Sequence, residues 1–346
     1  MAKFKLRTNV PLKSLTTFQV GGSARYLAEV EDEDQLIEAV NFTKEKRLGI
    51  FVLGGGSDIL MSDEGFDGLV IRYKDKSIEF DYKNKHVLVT AAAGVIWDDL
   101  VASCVKKGLQ GIECMSGIPG TVGASPIQNI GAYGQELKDG FVRLSAFDFK
   151  DKRFVTFDKR KCEFSYRESV FKKKKAKRRY LITKVTLRLR KSIKPTVTYE
   201  SLRQYLDGKG IKNPNLAQVR KAVLALRGQK MEDPGVLGNA GSFFKNPIIE
   251  RKLLKRLKQN YPEIPYYPAE DVKVKLFAGW LVEHAGWKGK RFKNAMVSEK
   301  NALVITNPKG RASAKEVREL AQAISKDVYK KFKVKLEPEV QFIGFN

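Results

Sequence analysis

The 346-residue chain carries 65 Lys and Arg residues against 39 Asp and Glu residues, a formal net charge of +26, and 42% of its residues are hydrophobic. This length and composition predict a globular protein of two or three domains, and no apolar run of about 18 residues exists that could cross a membrane. Two histidines and three cysteines without C-x-x-C spacing leave almost no material for a zinc cluster or a Ser-His-Asp arrangement, so no metal is expected. The N-terminal sequence lacks the apolar segment of a secretory signal, and we expect a reducing, cytoplasmic location.

The first predicted unit combines a helix, a strand and a glycine turn. Residues 32–47 have the spacing of an amphipathic helix with an acidic N-cap, and they precede a short apolar strand at 50–53. Residues 54–57 read GGGS directly after this strand, so their backbone N–H groups could surround an anion such as a phosphate. The same sequence equally fits a tight turn, and it matches neither the G-x-G-x-x-G fingerprint nor the P-loop.

From residue 68 to about residue 190 the hydrophobic pattern has period two, which predicts a second unit built mainly of β-strands. One amphipathic helix, at 97–108, interrupts these strands. Residues 115–135 follow that helix and contain five glycines, two prolines and no charged side chain. Such a loop suits a large polar cofactor, because glycine allows positive φ and close approach of the backbone. The alternative is a turn-rich structural connection.

After Pro195 the pattern changes to helices mixed with strands, which predicts a separate α+β domain. Helices are predicted at 215–228, 248–261, 278–286 and 313–332, and strands at 302–307 and 340–344. No internal repeat is apparent.

The positive charge attracts nucleic acids and phosphorylated small molecules alike. Its densest run, residues 172–179, lies between Phe171 and a strand-like segment, which predicts a solvated hairpin loop. Steering of a polyanionic substrate is the alternative role for this run. No aromatic residues alternate with the lysines and no RNP-type motif occurs, so nucleic-acid binding has no support besides charge.

Three polar side chains stand in segments of small or aromatic residues, as functional groups often do. Arg167 lies in SYRES, Ser242 follows GNAG and precedes two phenylalanines, and Glu339 comes just before VQFIG. From these residues alone, Arg167 and Glu339 could also be partners in structural ion pairs. Ser242 could likewise be an ordinary turn serine.

Several long motifs, taken in chain order, resemble those of the UDP-N-acetylenolpyruvoylglucosamine reductase (MurB) family of bacterial cell-wall synthesis. They are LTTFQVGGSARYL, VLGGGSDIL, GIPGTVGASPIQNIGAYGQE, CEFSYRESVFK, GNAGSFFKNP, AGWLVEHAGWKG and LEPEVQFIG. The resemblance extends from about Thr16 to Gly344. It implies an α+β flavoprotein with a two-subdomain FAD-binding region of the vanillyl-alcohol-oxidase (PCMH/VAO) type and a C-terminal α+β substrate-binding domain. The corresponding predicted domains are 1–67, 68–194 and 195–346.

The resemblance also implies a reaction, the NADPH-dependent, FAD-mediated reduction of UDP-N-acetylglucosamine enolpyruvate to UDP-N-acetylmuramate in peptidoglycan precursor synthesis. It assigns catalysis to Arg167, Ser242 and Glu339, with the serine as proton donor. The implied flavin contacts are Gly54, Gly55, Gly56, Ser57, Gly120, Gly123, Ser125, Gln128, Asn129 and Gly131. The implied substrate contacts are Arg227 and Lys230 of the motif RxxKxxDP, Asn246, Lys288 and, from a longer family subtype, Tyr199. Asp58 departs from the commoner form GGGSN, and a monomer without membrane or nucleic-acid partners is expected.

These residue types suit the implied chemistry. Hydride addition at C3 of the enolpyruvyl ether develops negative charge at C2, which a fixed Arg167 would stabilise. Ser242 would then protonate C2, because a weak acid can protonate a strongly basic carbon. Glu339 would oppose this charge if ionised, so we expect it to be protonated or to act through Arg167 or a water. The alternative is another FAD-dependent oxidoreductase of the VAO type, which would lack the substrate-side residues.

Overall fold

The computed structural model describes residues 4–191, 194–195, 197–269 and 272–345. The chain divides into two compact units, and each is assembled from separate parts of the sequence. Unit 1 comprises Met1–Val10, Ala24–Gly55 and Asp67–Gln229, and unit 2 comprises Pro11–Ser23, Gly56–Phe66 and Lys230–Asn346. Among the described residues, no helix is both long enough and apolar enough to span a bilayer.

The strands are, in chain order, β1 Lys5–Pro11, β2 Ser23–Val30, β3 Gly49–Val52, β4 Ile59–Met61, β5 Phe66–Tyr73, β6 Ile78–Tyr82, β7 His86–Ala92, β8 Leu109–Gln110, β9 Gly131–Ala132, β10 Gln135–Glu136, β11 Phe141–Asp148, β12 Arg153–Asp158, β13 Tyr180–Lys191, β14 Gly238–Ser242, β15 Ile248–Glu250, β16 Tyr266–Pro268, β17 Lys273–Leu276, β18 Arg291–Phe292, β19 Ala295–Val297, β20 Val304–Asn307 and β21 Gln341–Ile343. The α-helices are α1 Glu33–Lys46, α2 Trp97–Lys106, α3 Leu137–Gly140, α4 Lys159–Cys162, α5 Glu200–Asp207, α6 Leu216–Lys230, α7 Arg251–Asn260, α8 Ala278–His284 and α9 Ala314–Phe332. Short 3-10 helices span Leu12–Leu15, Glu113–Met115, Val122–Ala124 and Val170–Lys172.

The first sheet of unit 1 has the strand order β1-β2-β5-β3 and is covered by α1. The helix begins at Asp32, whose side chain accepts a hydrogen bond from the Gln35 N–H at 2.8 Å, and it ends at Arg47 with φ 53°. Strand β3 pairs in parallel with β5. The glycine turn therefore leaves the carboxyl end of a paired strand, as the sequence predicted.

The second sheet of unit 1 is antiparallel, with the order β12-β11-β13-β7-β6. Helix α2 packs on it through the buried side chains of Trp97, Leu100, Val101 and Cys104, in agreement with the predicted apolar face. Helices α5 and α6 add a smaller apolar cluster in the same unit, built around Leu202, Leu206 and Val223.

Unit 2 is built on a sheet of order β14-β20-β19-β18 that shares one apolar core with α8 and α9. The predicted helix at 248–261 is wrong in its first turn, because residues 248–250 form β15 and the helix begins at Arg251. Ile248 pairs with Lys275 of β17, and Pro247 precedes it. Two consecutive isoleucines favour an extended strand, so tertiary pairing outweighs the helical periodicity here.

Candidate functional site

The glycine turn and the charge-free loop 115–135, predicted separately, meet within unit 1. A Cβ placed on Gly55 would lie 2.8 Å from the Gly120 Cα, and one placed on Gly54 would lie 2.8 Å from the Thr121 Oγ1. A Cβ on Gly123 would lie 2.5 Å from the Ala93 Cβ. We call Gly54, Gly55, Gly120 and Gly123 the glycine cradle, because a Cβ on Gly54, Gly55 or Gly123 would lie less than 3 Å from a neighbouring atom.

Hydrogen bonds fix the loop side of the cradle to neighbouring backbone. The Trp97 N–H donates to the Gly120 carbonyl at 3.0 Å, and the Gly123 N–H donates to the Ala93 carbonyl at 3.1 Å. Gln128 Oε1 is buried and accepts no hydrogen bond from the described residues. Buried acceptors are normally satisfied, so this atom fits a ligand that brings an N–H or O–H donor. A close-packed backbone cradle with such an acceptor fits FAD.

Gly56, Ser57 and Asp58 belong to unit 2. Gly56 has φ 69°, and a Cβ there would overlap the Leu15 carbonyl oxygen, which makes glycine necessary. Its own carbonyl accepts from the Thr17 N–H at 2.9 Å. Asp58 has φ 58°, and its carbonyl accepts from the Gln341 N–H at 3.0 Å. Backbone hydrogen bonds therefore hold the turn at Gly56 and Asp58.

Two predicted flavin contacts direct their side chains into the protein. The Ser125 hydroxyl donates to the Val122 carbonyl at 2.7 Å. Asn129 is fully buried, and its amide oxygen accepts from the Lys138 N–H at 2.9 Å. Its amide nitrogen donates to Glu136 at 3.0 Å and to the Ser165 carbonyl at 3.1 Å. These two side chains hold the loop in shape. A cofactor at this loop would therefore be contacted by backbone groups.

Arg167 lies in the tight turn of a short hairpin in which Ser165 pairs with Glu168. It has φ 56°, a conformation that non-glycine residues rarely adopt and that often marks a functional position. The Arg167 Nη2 donates to the Gly131 carbonyl at 3.0 Å, and Lys172 Nζ donates to the Arg167 carbonyl at 3.1 Å. The arginine is therefore held against the charge-free loop.

Two predicted substrate contacts reach the same loop within unit 1. The Tyr199 ring packs edge-on against the Tyr133 ring, with centroids 5.5 Å apart. Arg227 of α6 lies beside Gly117, where a Cβ would be 3.2 Å from the arginine Nε. Burial lowers the pKa of Arg227, although Tyr133 and Asp98 act in the opposite direction. The side chain is partly buried, and its guanidinium forms no hydrogen bond or ion pair with the described residues, so it is suited to bind an anionic ligand.

Ser242 ends β14 at a bulge. The pairing of β14 with β20 shifts between Asn239 and Ser242, and the intervening Gly241 has φ 74°. The buried Asn239 side chain accepts from the Gly241 N–H at 2.9 Å and so fixes the bulge. Bulges commonly redirect a side chain next to an active site.

Glu339 lies in a segment that runs antiparallel to the residues after Ser242. The Glu339 N–H donates to the Phe243 carbonyl at 2.8 Å, and Phe244 pairs with Pro338. The structure thus brings two of the three predicted catalytic residues together in unit 2, while Arg167 belongs to unit 1.

The other predicted substrate contacts of unit 2 differ in their surroundings. The Asn246 side-chain oxygen accepts from the Ala278 N–H at 2.9 Å, at the start of α8. Lys288 Nζ donates to Glu283 at 2.9 Å on the surface. Lys230 is exposed at the end of α6.

The basic run 172–179 is a turn-rich loop with exposed lysines, as predicted, but its ends make specific contacts. Lys172 binds the Arg167 carbonyl, and Arg179 forms a bidentate ion pair with the buried Asp148, with its Nε and Nη2 at 2.9 and 2.6 Å from the carboxylate. The loop is thereby anchored beside the Arg167 hairpin.

One group at the site was missed by sequence reasoning. Asp98, in the first turn of α2, accepts a hydrogen bond from the Gly117 N–H at 2.6 Å and pairs with Arg220 of α6 at 2.5 and 2.8 Å. Burial would raise the pKa of Asp98, but the bonds from Arg220 and Gly117 outweigh it and lower that pKa. The only sequence signal was an acidic residue where a helix begins, which is common without any function.

Two family models match the chain. The model of an FAD binding domain matches residues 24–156, which include the glycine cradle. The model of the C-terminal domain of UDP-N-acetylenolpyruvoylglucosamine reductase matches residues 229–343, which include Ser242 and Glu339. These matches confirm the predicted fold class, an FAD-binding region followed by a C-terminal α+β domain.

Relatives match along nearly the whole chain. The UDP-N-acetylenolpyruvoylglucosamine reductase of Pseudomonas aeruginosa is 42% identical and aligns over 97% of this chain and 98% of its own. The protein of that name from Amoebophilus asiaticus is 42% identical over 98% and 99%, and that from Neisseria gonorrhoeae is 40% identical over 98% and 97%.

Solved structures agree with these relatives. The crystal structure of UDP-N-acetylenolpyruvylglucosamine reductase (MurB) from Thermus caldophilus has a TM-score of 0.68 and 25% identity, and covers 99% of this chain and 100% of its own. A solvent-stable cholesterol oxidase, 13% identical, has a TM-score of 0.51 over 98% and 87%, and shares the fold alone. Since relatives at 42% identity align over almost the entire length, the chain belongs to the UDP-N-acetylenolpyruvoylglucosamine reductase family.

Proposed function

We propose that this protein reduces UDP-N-acetylglucosamine enolpyruvate to UDP-N-acetylmuramate in peptidoglycan precursor synthesis, with FAD as cofactor and NADPH as reductant. The observation that carries the proposal is the full-length identity of 42% to reductases named for this substrate, together with the match of residues 229–343 to their C-terminal domain. In this proposal the enzyme acts as a cytoplasmic monomer. Residues 1–67 and 68–194 serve the cofactor, and residues 195–346 serve the substrate.

The glycine cradle supports the assignment of the cofactor site. Backbone N–H groups at 54–57 suit the pyrophosphate of FAD, because glycines leave them accessible to an anion. Gly120, Gly123 and Gly131 would line the other side through backbone groups, and Gln128 Oε1 would accept a hydrogen bond from the cofactor. Ser125 and Asn129 would contribute by holding the loop in shape.

Charge supports the assignment of the substrate site. The substrate carries a diphosphate and a carboxylate, and the partly buried Arg227 guanidinium forms no hydrogen bond or ion pair with the described residues. A buried cation gains most from an ionic hydrogen bond once water is excluded. Tyr199, beside Tyr133, would pack against the nucleotide, and Lys230, Asn246 and Lys288 would be further substrate contacts.

FAD held by the glycine cradle would supply the transfer of a hydride from NADPH to C3 of the enolpyruvyl group. Arg167, which the loop holds through Gly131, would stabilise the negative charge that develops toward the substrate carboxylate. Ser242, fixed at the bulge of β14, would donate its hydroxyl proton to C2. Glu339, whose backbone is bonded to the residue after Ser242, would assist this protonation without carrying a negative charge toward the substrate.

The test separates the two half-reactions. Purified protein should be yellow, and it should oxidise NADPH continuously only when UDP-N-acetylglucosamine enolpyruvate is present, with UDP-N-acetylmuramate identified by mass spectrometry. In Ser242→Ala, flavin reduction by NADPH should survive while flavin reoxidation by the substrate collapses. Ser77→Ala is the matched control, because Ser77 is exposed on the edge of the second sheet.

Two outcomes would contradict the proposal in different ways. A colourless protein that cannot be reconstituted with FAD would exclude any flavoenzyme. A yellow protein whose reduced flavin does not react with the enolpyruvyl substrate would instead indicate another oxidoreductase of the VAO type. Equal loss of both half-reactions in Ser242→Ala would exclude Ser242 as the proton donor.

A further inference from the structure

We propose that the ion pair between Asp98 and Arg220 is a positioning device that holds Arg227 against the charge-free loop for substrate binding. The inference rests on the function proposed above, since it takes Arg227 as a substrate contact. Asp98 and Arg220 lie 122 positions apart in the sequence, and the motifs of the family resemblance include neither of them.

The Asp98 carboxylate joins two elements with one group. One of its oxygens accepts both the Gly117 N–H at 2.6 Å and Arg220 Nη1 at 2.5 Å, and the other accepts Arg220 Nη2 at 2.8 Å. The two side chains are 31% and 18% exposed, so water competes only partly for this bidentate pair. The carboxylate therefore fixes the backbone of the loop and the helix α6 relative to each other.

Arg227 lies on the same face of α6 as Arg220, so the ion pair also positions Arg227. Arg220, Leu224 and Arg227 are four and then three residues apart, which places them along one face of the helix. A Cβ on Gly117 would lie 2.8 Å from the Leu224 Cδ2 and 3.2 Å from the Arg227 Nε. The same glycine whose N–H binds Asp98 thus packs against the side chain that would bind the substrate.

The pair also separates the roles of two neighbouring cations. Arg220 forms a bidentate ion pair with Asp98, whereas the partly buried Arg227 forms no hydrogen bond or ion pair in the described part of the chain, although the charge of Asp98 also acts on it. Without Asp98, Arg220 would lose its partner and the Gly117 N–H its acceptor, which would loosen the contact between loop and helix. The expected consequence is weaker substrate binding rather than slower chemistry, because the hydrogen bonds of Asp98 go to Gly117 and Arg220 and not to Arg167, the predicted catalytic residue of unit 1.

The experiment compares Asp98→Asn, Arg220→Met and the double variant with wild-type holoenzyme. We expect each single variant to raise the KM for UDP-N-acetylglucosamine enolpyruvate about tenfold, with kcat and flavin reduction by NADPH changed less than about twofold. The double variant should be no worse than either single variant, because both remove the same interaction. Calorimetry with UDP-N-acetylmuramate should show the same tenfold loss of affinity independently of turnover.

Asp99→Asn is the matched control, because Asp99 is exposed in the same helical turn and acts on Arg220 only through its charge, without a hydrogen bond or ion pair to the described residues. Its KM should stay within about twofold of wild type. Asp98→Glu keeps the charge and should recover part of the loss, even if the other variants prove unstable.

An unchanged KM in Asp98→Asn, strictly additive effects in the double variant, or no recovery in Asp98→Glu would each overturn the inference. Arg227→Met distinguishes this failure from that of the proposed function. If Arg227→Met raises KM and Asp98→Asn does not, only the positioning role fails. If Arg227→Met leaves KM unchanged, the assigned substrate contact itself is wrong.

Discussion

Replacing Gly55 by alanine tests the glycine cradle, because it adds a single methyl group at the closest approach of the turn to the loop. The new Cβ would lie 2.8 Å from the Gly120 Cα and 3.2 Å from the Gly120 carbonyl carbon, whereas ordinary contacts are 3.4–4 Å. The obstacle is backbone, which cannot rotate away as a side chain can. Overpacking of this kind costs about 1–3 kcal/mol. If the strain is relieved by separation of the two segments, FAD affinity should fall by about 5- to 150-fold.

The assay is a fluorescence titration of the apoprotein with FAD, combined with urea unfolding of the apoprotein. Gly228→Ala is the matched control, because a Cβ there meets nothing within 4 Å. That variant should bind FAD like wild type and gain up to about 1 kcal/mol in stability, as is usual for Gly→Ala within a helix. Wild-type FAD affinity in Gly55→Ala would refute the reasoning that this contact forms the cofactor site.

Three further predictions concern anchoring, stability and reactivity. Asn129→Ala should slow flavin reoxidation by substrate about tenfold, because the Arg167 hairpin loses one of its bonds to the loop, and it should weaken FAD binding, because Asn129 holds the loop in shape; wild-type reoxidation in this variant would contradict the anchoring role. Asp148→Asn should lower the free energy of unfolding by about 2 kcal/mol at neutral pH, since it breaks the buried pair with Arg179. Burial would raise the pKa of Asp148, but the hydrogen bonds from Arg179 hold that pKa below its ordinary value. The higher unfolding free energy of wild type over Asp148→Asn is therefore complete above about pH 4, and it is lost as the pH falls through the lowered pKa. Urea titrations at several pH values check this, and an advantage that grows on acidification would contradict it. Burial raises the pKa of all three cysteine thiols to about 12, so iodoacetamide should label none of them until the protein is unfolded.

Sequence periodicity predicted the helices and strands whose buried residues follow a regular spacing along the chain. Helix α1 has its acidic cap at Asp32, α2 buries the predicted face around Leu100, and the strands of the second sheet coincide with the alternating runs. The glycine turn and the charge-free loop were also predicted as candidate cofactor-binding segments, because glycine content and the lack of charge are features of composition, and that role stays a prediction. Their mutual contact is confirmed by the approach of Gly55 to Gly120.

Features that depend on distant pairing could not be predicted in this way. Residues 11–23 and 56–66 join unit 2, although nothing in their local sequence distinguishes them from the flanking segments of unit 1. Strand β15 was taken for the start of a helix, because its pairing partner lies 27 positions away, at Lys275 opposite Ile248. The Asn129 side chain is bonded inside the protein, and Asp98 pairs with Arg220. Both arrangements depend on residues that only the fold brings together.

The central claim is that this chain holds FAD and uses it to reduce an enolpyruvyl sugar nucleotide. The most direct test is anaerobic mixing of the chemically reduced holoenzyme with UDP-N-acetylglucosamine enolpyruvate, followed by the visible absorbance of the flavin. We predict that the absorbance of oxidised flavin returns in a single turnover and that one equivalent of UDP-N-acetylmuramate forms, whereas UDP-N-acetylglucosamine, which lacks the enolpyruvyl group, has no effect. A flavin that stays reduced with the enolpyruvyl substrate, or that reoxidises equally with both sugar nucleotides, would contradict the account.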